Sequence, residues 1–260
     1  MWSGKLIVIT GASSGVGYAA AHLFAERGSR VILLARNASR LADLEREIRR
    51  KRQQAASFVL DVTDGAAVSR IFSQIMREFG IPDLLINCAG IGIFQSFDEM
   101  DRQVMDKMVA VNFVGLMACT RAVLPAMLAR GRGHLVNIAS IAGKLATPKA
   151  AVYAATKHAV MGFSDGLRLE IADQGVRVTV INPGPIRTPF MKRADPEGDY
   201  AKHAGRYMLS AEKVAAAIVR AVEKNKREVN MPWYMGLGAW LHQLAPRLFE
   251  RIAGNLLKMK

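Results

Sequence analysis

The chain has 260 residues, 51% of them apolar, and carries 36 Lys and Arg against 22 Asp and Glu for a net charge of +14. That length accommodates one α/β domain with a large core, and no low-complexity run, internal repeat or linker-like stretch divides it. The charge invites a nucleic-acid partner, but the basic residues are scattered and no aromatic residues are interleaved among them as a base-stacking platform needs, so no nucleic-acid binding is expected.

The two cysteines, Cys88 and Cys119, lie in apolar surroundings and predict buried thiols in a reducing, cytoplasmic setting rather than a disulfide framework. The first strand begins within a few residues of Met1, which leaves no room for a signal peptide, and no uninterrupted apolar run approaches the ~20 residues a transmembrane helix needs. No metal site is expected.

In chain order, residues 5–10 form a short β-branched run, the signature of a strand buried on both faces of a parallel sheet. Gly11, Ser13, Ser14, Gly15, Val16 and Gly17 follow at once, and a helical pattern then runs to about Gly28. Strand, glycine-rich turn and helix arrive in the order of a dinucleotide site. Gly11 permits the tight turn, Gly15 lets backbone approach a pyrophosphate, Gly17 lets the helix pack close to the sheet, and the helix N-terminus offers N–H donors. The spacing is G-x-x-x-G-x-G, and a plain βα turn is the other reading.

Residues 30–34 read as the second strand, followed by Ala35, Arg36 and Asn37. An acid here accepts ribose hydroxyls in NAD sites, whereas an Arg suits a 2′-phosphate. Ala35 in place of the acid, with Arg36 beside it, leans the sequence towards NADP(H), with Ser13 and Arg40 as helpers; otherwise Arg36 is a solvated loop residue. A charged helix over about 38–52 and a strand over 57–60 lead to Asp61 and Val62. The Asp61 carboxylate either accepts from an adenine amino group or caps the next helix. Residues 83–87 form the fourth strand and run from Asn87 through Cys88 into Ala89 and Gly90, small enough for backbone to lie against a cofactor. A long helical stretch over about 97–130 carries Asn112 in apolar surroundings, where a buried amide demands partners.

Residues 134–140 form the fifth strand and end on Ser140, at the edge where open parallel sheets bind ligands. The next helix, to about 174, carries Tyr153 and Lys157 one turn apart on one face. A cation there favours the phenolate and lowers the phenol pKa, so Tyr153 is a candidate general acid or base. A sixth strand over 176–181 leads into a rigid turn through Pro183, Gly184, Ile186 and Thr188. The polar, weakly periodic stretch over about 187–209 fits a mobile lid over a pocket, a plain surface loop being the alternative. A helix capped by Ser210 and a seventh strand over 228–231 precede a tail in which Leu237, Leu241, Leu244, Leu248, Ile252 and Leu256 recur at helical spacing. That tail is expected to pack on its own core or on a neighbouring subunit, with an anionic membrane surface as the alternative.

With the residues laid out, the sequence resembles the short-chain dehydrogenase/reductase family over roughly 4–231. The resemblance rests on the turn from Thr10 to Gly17, Asp61, Asn87 to Gly90, Asn112, Ser140, Tyr153 with Lys157, and Pro183 with Gly184. Cys88 departs from it, since many members carry a second Asn there. The resemblance implies a doubly wound Rossmann-type parallel seven-stranded sheet with helices on both faces, one catalytic domain over 1–232 and an amphipathic extension over 233–260. It implies NADP(H)-dependent interconversion of a ketone or aldehyde and an alcohol. Tyr153 would exchange the proton with the substrate oxygen, and Ser140 would hydrogen-bond that oxygen. Lys157 would hold the nicotinamide ribose and depress the Tyr153 pKa, and Asn112 would support a proton-supplying water chain. The Ile186 backbone and Thr188 would bind the carboxamide, and Val16, Val62 and Asn87 would complete the cofactor contacts. A pocket of Ile91, Ile93, Phe94, Ser140, Ile141, Leu145 and Ile186 is mostly apolar, pointing to a bulky lipophilic substrate, steroid-like or fatty-chain. A homodimer or homotetramer is also implied, packing about 104–130 and 151–174 against their copies. Rival readings are an NADP(H)-binding sensor or scaffold, which the intact Tyr153 and Lys157 disfavour, an enoyl-thioester reductase, which the spacing of four disfavours, and a membrane-surface module carried by the tail.

Overall fold

Alternation along the apolar strands sets the layering. In the first strand Leu6 and Val8 face one helical layer while Ile7 and Ile9 face the other, so a continuous apolar run is what a strand covered on both faces requires. In the computed structural model, which describes residues 2–198, 200 and 205–257, seven parallel strands form one sheet. They are β1 (Leu6–Thr10), β2 (Arg30–Ala35), β3 (Ala55–Val59), β4 (Leu84–Asn87), β5 (Gly133–Ile138), β6 (Val176–Pro183) and β7 (Glu228–Met231), in the order β3-β2-β1-β4-β5-β6-β7.

The helices are α1 (Gly15–Glu26), α2 (Ala38–Arg50), α3 (Gly65–Phe79), α4 (Arg102–Val109), α5 (Gly115–Ala129), α6 (Ala151–Glu170), α7 (Pro189–Ala194), α8 (Ala211–Glu223), α9 (Trp233–Leu244) and α10 (Pro246–Leu257). Helices α1, α2 and α8 cover one face through Phe24, Leu44 and Ile218. Helices α3, α5 and α6 cover the other through Phe72, Val123 and Leu167. The strand order reverses between β1 and β4, and the crevice at that reversal, outside the strands' carboxyl ends, is where such sheets take ligands.

Helix starts follow local chemistry. Asn37 accepts from the Arg40 N–H, Asp64 from the Ala67 N–H and Ser210 from the Lys213 N–H, each satisfying a donor that the first turn leaves open. The helix after β3 is therefore capped by Asp64, and not by Asp61.

The stretch expected as one helix over about 97–130 begins at Arg102 and contains a π turn at Ala110–Val114. Such a turn inserts a residue into the α-helical ladder and re-aims side chains, and here it holds Asn112. By length and composition 102–129 is apolar enough to cross a membrane, against the sequence expectation. Its apolar side is the core side: Cys119, Val123 and Met127 are buried in the layer with α3.

The lid stretch is more ordered than its weak periodicity implies. Helix α7 buries Met191 and Ala194, and a 3-10 turn follows at Gly205–Tyr207. Its two ends are tied where the Arg187 N–H donates to the Leu209 carbonyl at 2.9 Å and the Leu209 N–H to the Pro185 carbonyl at 2.8 Å. Residues 199 and 201–204 of the expected lid lie outside the described residues.

The tail is two helices, broken before Pro246, which cannot continue an α-helical ladder. The tail packs on the body of the protein along a narrow strip only: Leu237, Leu241, Leu244, Leu248 and Ile252 are exposed. The reason is that α9 meets the body of the protein through small residues. Ala239 is fully buried, and a Cβ on Gly236 would stand 2.6 Å from Asn230 Cβ. The large side chains therefore point away. The Leu256 side chain lies outside the described residues.

Candidate active site

The turn after β1 is built by close backbone approach. Gly11 has φ +70°, and a Cβ there would lie 2.8 Å from the Ala89 backbone; one on Gly17 would lie 2.5 Å from the Gly11 carbonyl oxygen. Both positions exclude any side chain, and the space they keep is a shallow cradle at the start of α1. Ser14 stands at the N-cap without a side-chain capping bond, so the N–H groups of the first turn remain available to an anion. Val16 is buried beneath the turn, while Ser13 and Ser14 are half-buried on it. The Thr10 hydroxyl accepts from the Cys88 and Ala89 N–H groups at 3.1 Å each, fastening the 87–90 segment beside the cradle. A Cβ on Gly15 would lie 3.2 Å from Thr188 Cγ2, which brings the turn after β6 to the same place.

Arg36 is exposed at the carboxyl end of β2 and lies 3.8 Å from the Asp61 carboxylate. Arg40 is exposed in the first turn of α2, whose N-cap occupies the Asn37 side chain. Burial raises the Asp61 carboxyl, but the Thr63 N–H and hydroxyl, together with Arg36 and Lys107, outweigh it and hold the group below the ordinary value. Val62 is buried where Gly115 lets α5 approach; a Cβ on Gly115 would stand 2.7 Å from Val62 Cγ2. The Asn87 side chain is turned inward, donating to Thr120 Oγ1 at 3.0 Å and Asn137 Oδ1 at 2.9 Å.

The residues singled out as a catalytic group converge. Asn112 holds the segment after β4 in a two-way clamp: its Oδ1 accepts from the Ile91 N–H at 2.8 Å and its Nδ2 donates to the Ile91 carbonyl at 2.8 Å. The same Nδ2 reaches Thr156 Oγ1 at 3.0 Å, and that hydroxyl donates to the Tyr153 carbonyl at 2.7 Å. Ser140 follows β5; its Oγ accepts from the Ala142 N–H at 3.1 Å and donates to the Pro183 carbonyl at 3.3 Å. Lys157 Nζ donates to the Ile138 carbonyl at 2.9 Å and lies 5.8 Å from the Tyr153 ring centroid. A Cβ on Gly90 would lie 3.4 Å from Asn112 Oδ1 and 3.5 Å from Lys157 Nζ, so the glycine gives these groups access to the crevice.

The electrostatics differ from the sequence expectation. Burial pushes the Tyr153 phenol up to about 12, with the Ser140 hydroxyl pulling against the rise and Tyr200 adding to it. Burial pushes the Lys157 ammonium down to about 8, with Cys88 opposing. Desolvation is the largest cause at both groups and sets the direction of each shift, while the Lys157 ammonium donates to the Ile138 carbonyl.

Around the phenol lies an apolar cluster. Tyr153 packs with Met100 and Met108, and with Ile91, Ile93, Phe94 and Phe190. The Phe94 and Phe190 rings stand 5.8 Å and 5.7 Å from the Tyr153 ring, and Tyr200 stands 5.2 Å from Phe94. Lid and wall are joined by the Phe94 N–H donating to the Ala194 carbonyl at 2.8 Å.

The short chain dehydrogenase model matches residues 5–198. The chain belongs to that family. It is 36% identical over 266 residues to dehydrogenase/reductase SDR family member 7B of Rattus norvegicus, covering 96% of this chain and 80% of that protein. A short-chain dehydrogenase/reductase from Burkholderia phymatum, solved in complex with NAD, is similar with a TM-score of 0.88 at 25% identity, over 95% of each chain. A variant of actinorhodin polyketide ketoreductase, solved with NADPH, is similar with a TM-score of 0.81 at 27% identity, over 89% of this chain and 97% of that one.

For a short-chain dehydrogenase/reductase, the glycine cradle fits a dinucleotide, since the first turn of α1 keeps N–H groups open beside Gly11 and Gly17, where side chains are sterically excluded. Not every residue expected around the pocket gathers there. Ile186 packs against the sheet core on the α1 and α8 side, away from the Tyr153 cluster. Ile141 is buried but does not join that cluster, although its neighbour Ala142 does, and Leu145 is half-buried in the following loop. Met100 and Met108 were missed, and Phe190 and Tyr200 were covered only as part of the lid, without being singled out. Phe190 and Tyr200 had a signal in the sequence, two of the three aromatic residues in an otherwise polar lid. Thr156, hidden between Tyr153 and Lys157, had none.

Proposed function

We propose that this oxidoreductase reduces the carbonyl of a bulky lipophilic ketone or aldehyde with NADPH, Tyr153 serving as the proton donor. The observation that carries the reading is the convergence of Ser140, Tyr153, Lys157 and Asn112 beside the glycine cradle, under a wall of aromatic and Met side chains. Bound in the crevice, the nucleotide supplies the hydride. Tyr153, held as a neutral phenol by burial, is in the protonated form that reduction consumes. Ser140 hydrogen-bonds the substrate oxygen and, with Tyr153, fixes its position. Lys157 offers N–H donors to ribose hydroxyls, and Asn112 keeps the 91–93 segment in place. The apolar lining of Phe94, Phe190 and Tyr200 excludes water and favours a large apolar body over a small polar one. A sensor with little turnover is not favoured, because none of the four convergent groups is missing.

The preference for NADP(H) rests on Ala35 and Arg36. The end of β2 presents no acid to the ribose, and the exposed Arg36 guanidinium has the fork geometry that a 2′-phosphate takes. Two free thiols, half-buried Cys88 and buried Cys119, pushed up to about 11 and 12 by desolvation, suit a reducing cytoplasmic compartment. Exposed Val109, Val114 and Leu169 on the outer sides of α4 to α6 suit the homodimer or homotetramer that the family resemblance implies.

Titration of the purified protein with NADPH and NADH, for wild type and Arg36→Ala, tests the cofactor assignment. Wild type is expected to prefer NADPH by tenfold or more, ~1.4 kcal/mol, and the substitution to erase the preference. Equal binding of both nucleotides by wild type would refute it.

A further inference from the structure

We propose that the C-terminal helix pair, together with a basic cleft between α8 and β7, forms one surface that docks on an anionic lipid bilayer. Helices α9 and α10 expose Trp233 (74%), Leu237, Trp240 (54%), Leu241, Leu244 (64%), Leu248 and Ile252 (76%). Positions 233, 237, 240, 241 and 244 recur at helical spacing, and 248 and 252 continue it after the break, so the side chains line one face of each helix. Exposed apolar surface of that extent rimmed by polar groups marks an interaction site. Its content is selective: tryptophan and tyrosine combine a large apolar ring with one polar handle, the property that places them at the boundary between hydrocarbon and water.

The charge around this face chooses the partner. Arg247 and Arg251 are exposed on α10. On the adjoining side a cleft of about 300 Å³ is lined by Arg220, Lys224 and Lys226, with Val229 and Met231 among the apolar residues of its lining. Met231 is joined directly to Pro232 and α9, so the cations and the exposed aromatic residues lie on neighbouring elements. A chain of net charge +14 with cations beside an apolar face complements phosphate headgroups above acyl chains. A second copy of the chain on the same face would set these cations against their own copies, which costs energy.

The docking face also adjoins the candidate active site. A Cβ on Gly184 would lie 2.8 Å from Met235 Sδ of α9, and Gly184 begins the turn that leads into the lid.

Co-sedimentation of the full chain with phosphatidylcholine vesicles, with and without phosphatidylglycerol, tests the proposal. The readout is binding, so it stands apart from whether the reductase reading is correct. Wild type is expected to bind the anionic vesicles at least tenfold more tightly than the neutral ones. The triple variant Trp240→Glu/Leu244→Glu/Leu248→Glu and the cleft variant Arg220→Glu/Lys224→Glu are each expected to lose about tenfold or more, with thermal unfolding midpoint and NADPH affinity unchanged. Two results would overturn the proposal. One is wild-type binding that ignores vesicle charge or is matched by the triple variant. The other is a triple variant that falls from dimer to monomer in light scattering while vesicle binding persists, which would assign the face to a second copy.

Discussion

Lys157 and Tyr153 are both desolvated, and their titrations move in opposite directions: the phenol to about 12 and the ammonium to about 8. The signs lead to a measurable profile. The phenol stays protonated across the ordinary range, so it limits nothing on the acid side. The ammonium is present below about 8 and lost as pH rises through that value. If Lys157 must be charged to hold the nucleotide, kcat/KM for NADPH in reduction falls about tenfold per pH unit above about 8, since that parameter reports the unliganded protein. The fall should vanish, at a much lower rate throughout, in Lys157→Met. A profile flat to pH 10 in wild type would show that the lysine charge is not needed. The spacing of Tyr153 and Lys157 predicted that they share one helix face, and the motifs elsewhere in the chain, rather than the spacing alone, made them a candidate pair. The direction of the phenol shift was not legible, because its largest cause is burial, set by Met100, Met108, Phe94 and Phe190 packing from other parts of the chain.

At the scale of elements, the βα turn shows why sequence served well where chemistry is local. Glycines at 11, 15 and 17 after a β-branched strand can make few other structures, and the turn places Gly17 with no room for a methyl group. Gly17→Ala is expected to destabilise the protein by about 1–3 kcal/mol, seen as a lower denaturant midpoint, and to weaken nucleotide binding. An unchanged midpoint would mean the Gly11 carbonyl can move aside freely. Elements set by distant partners were harder to read. The π turn at Asn112 exists because the amide must reach both backbone groups of Ile91, and nothing in 110–114 announces it. The tail read correctly as amphipathic, but which side faces inward depends on Gly236 and Ala239 meeting β7, a contact between elements rather than a pattern within one.

For the molecule as a whole, the strand order was within reach because a seven-strand parallel sheet with helical crossovers leaves few alternatives once the first βα turn is placed. That order brings the carboxyl ends of β1, β4, β5 and β6 to one edge. Chemistry distributed over residues 11, 90, 112, 140, 153 and 157 is thereby gathered in one crevice. The pocket above it was half legible: the 91–94 wall follows a strand end, whereas Met100, Met108 and the lid aromatics depend on how α4 and α7 close over it. The most direct measurement is NADPH consumption by wild type and Tyr153→Phe across a panel of steroid and long-chain ketones and aldehydes. Wild type is expected to turn over at least one of them, and Tyr153→Phe to lose about 10²–10⁴-fold in rate with NADPH affinity within a few-fold of wild type. Full turnover by the Phe variant, or tight NADPH binding by wild type with no turnover on any substrate, would contradict a tyrosine-driven carbonyl reduction.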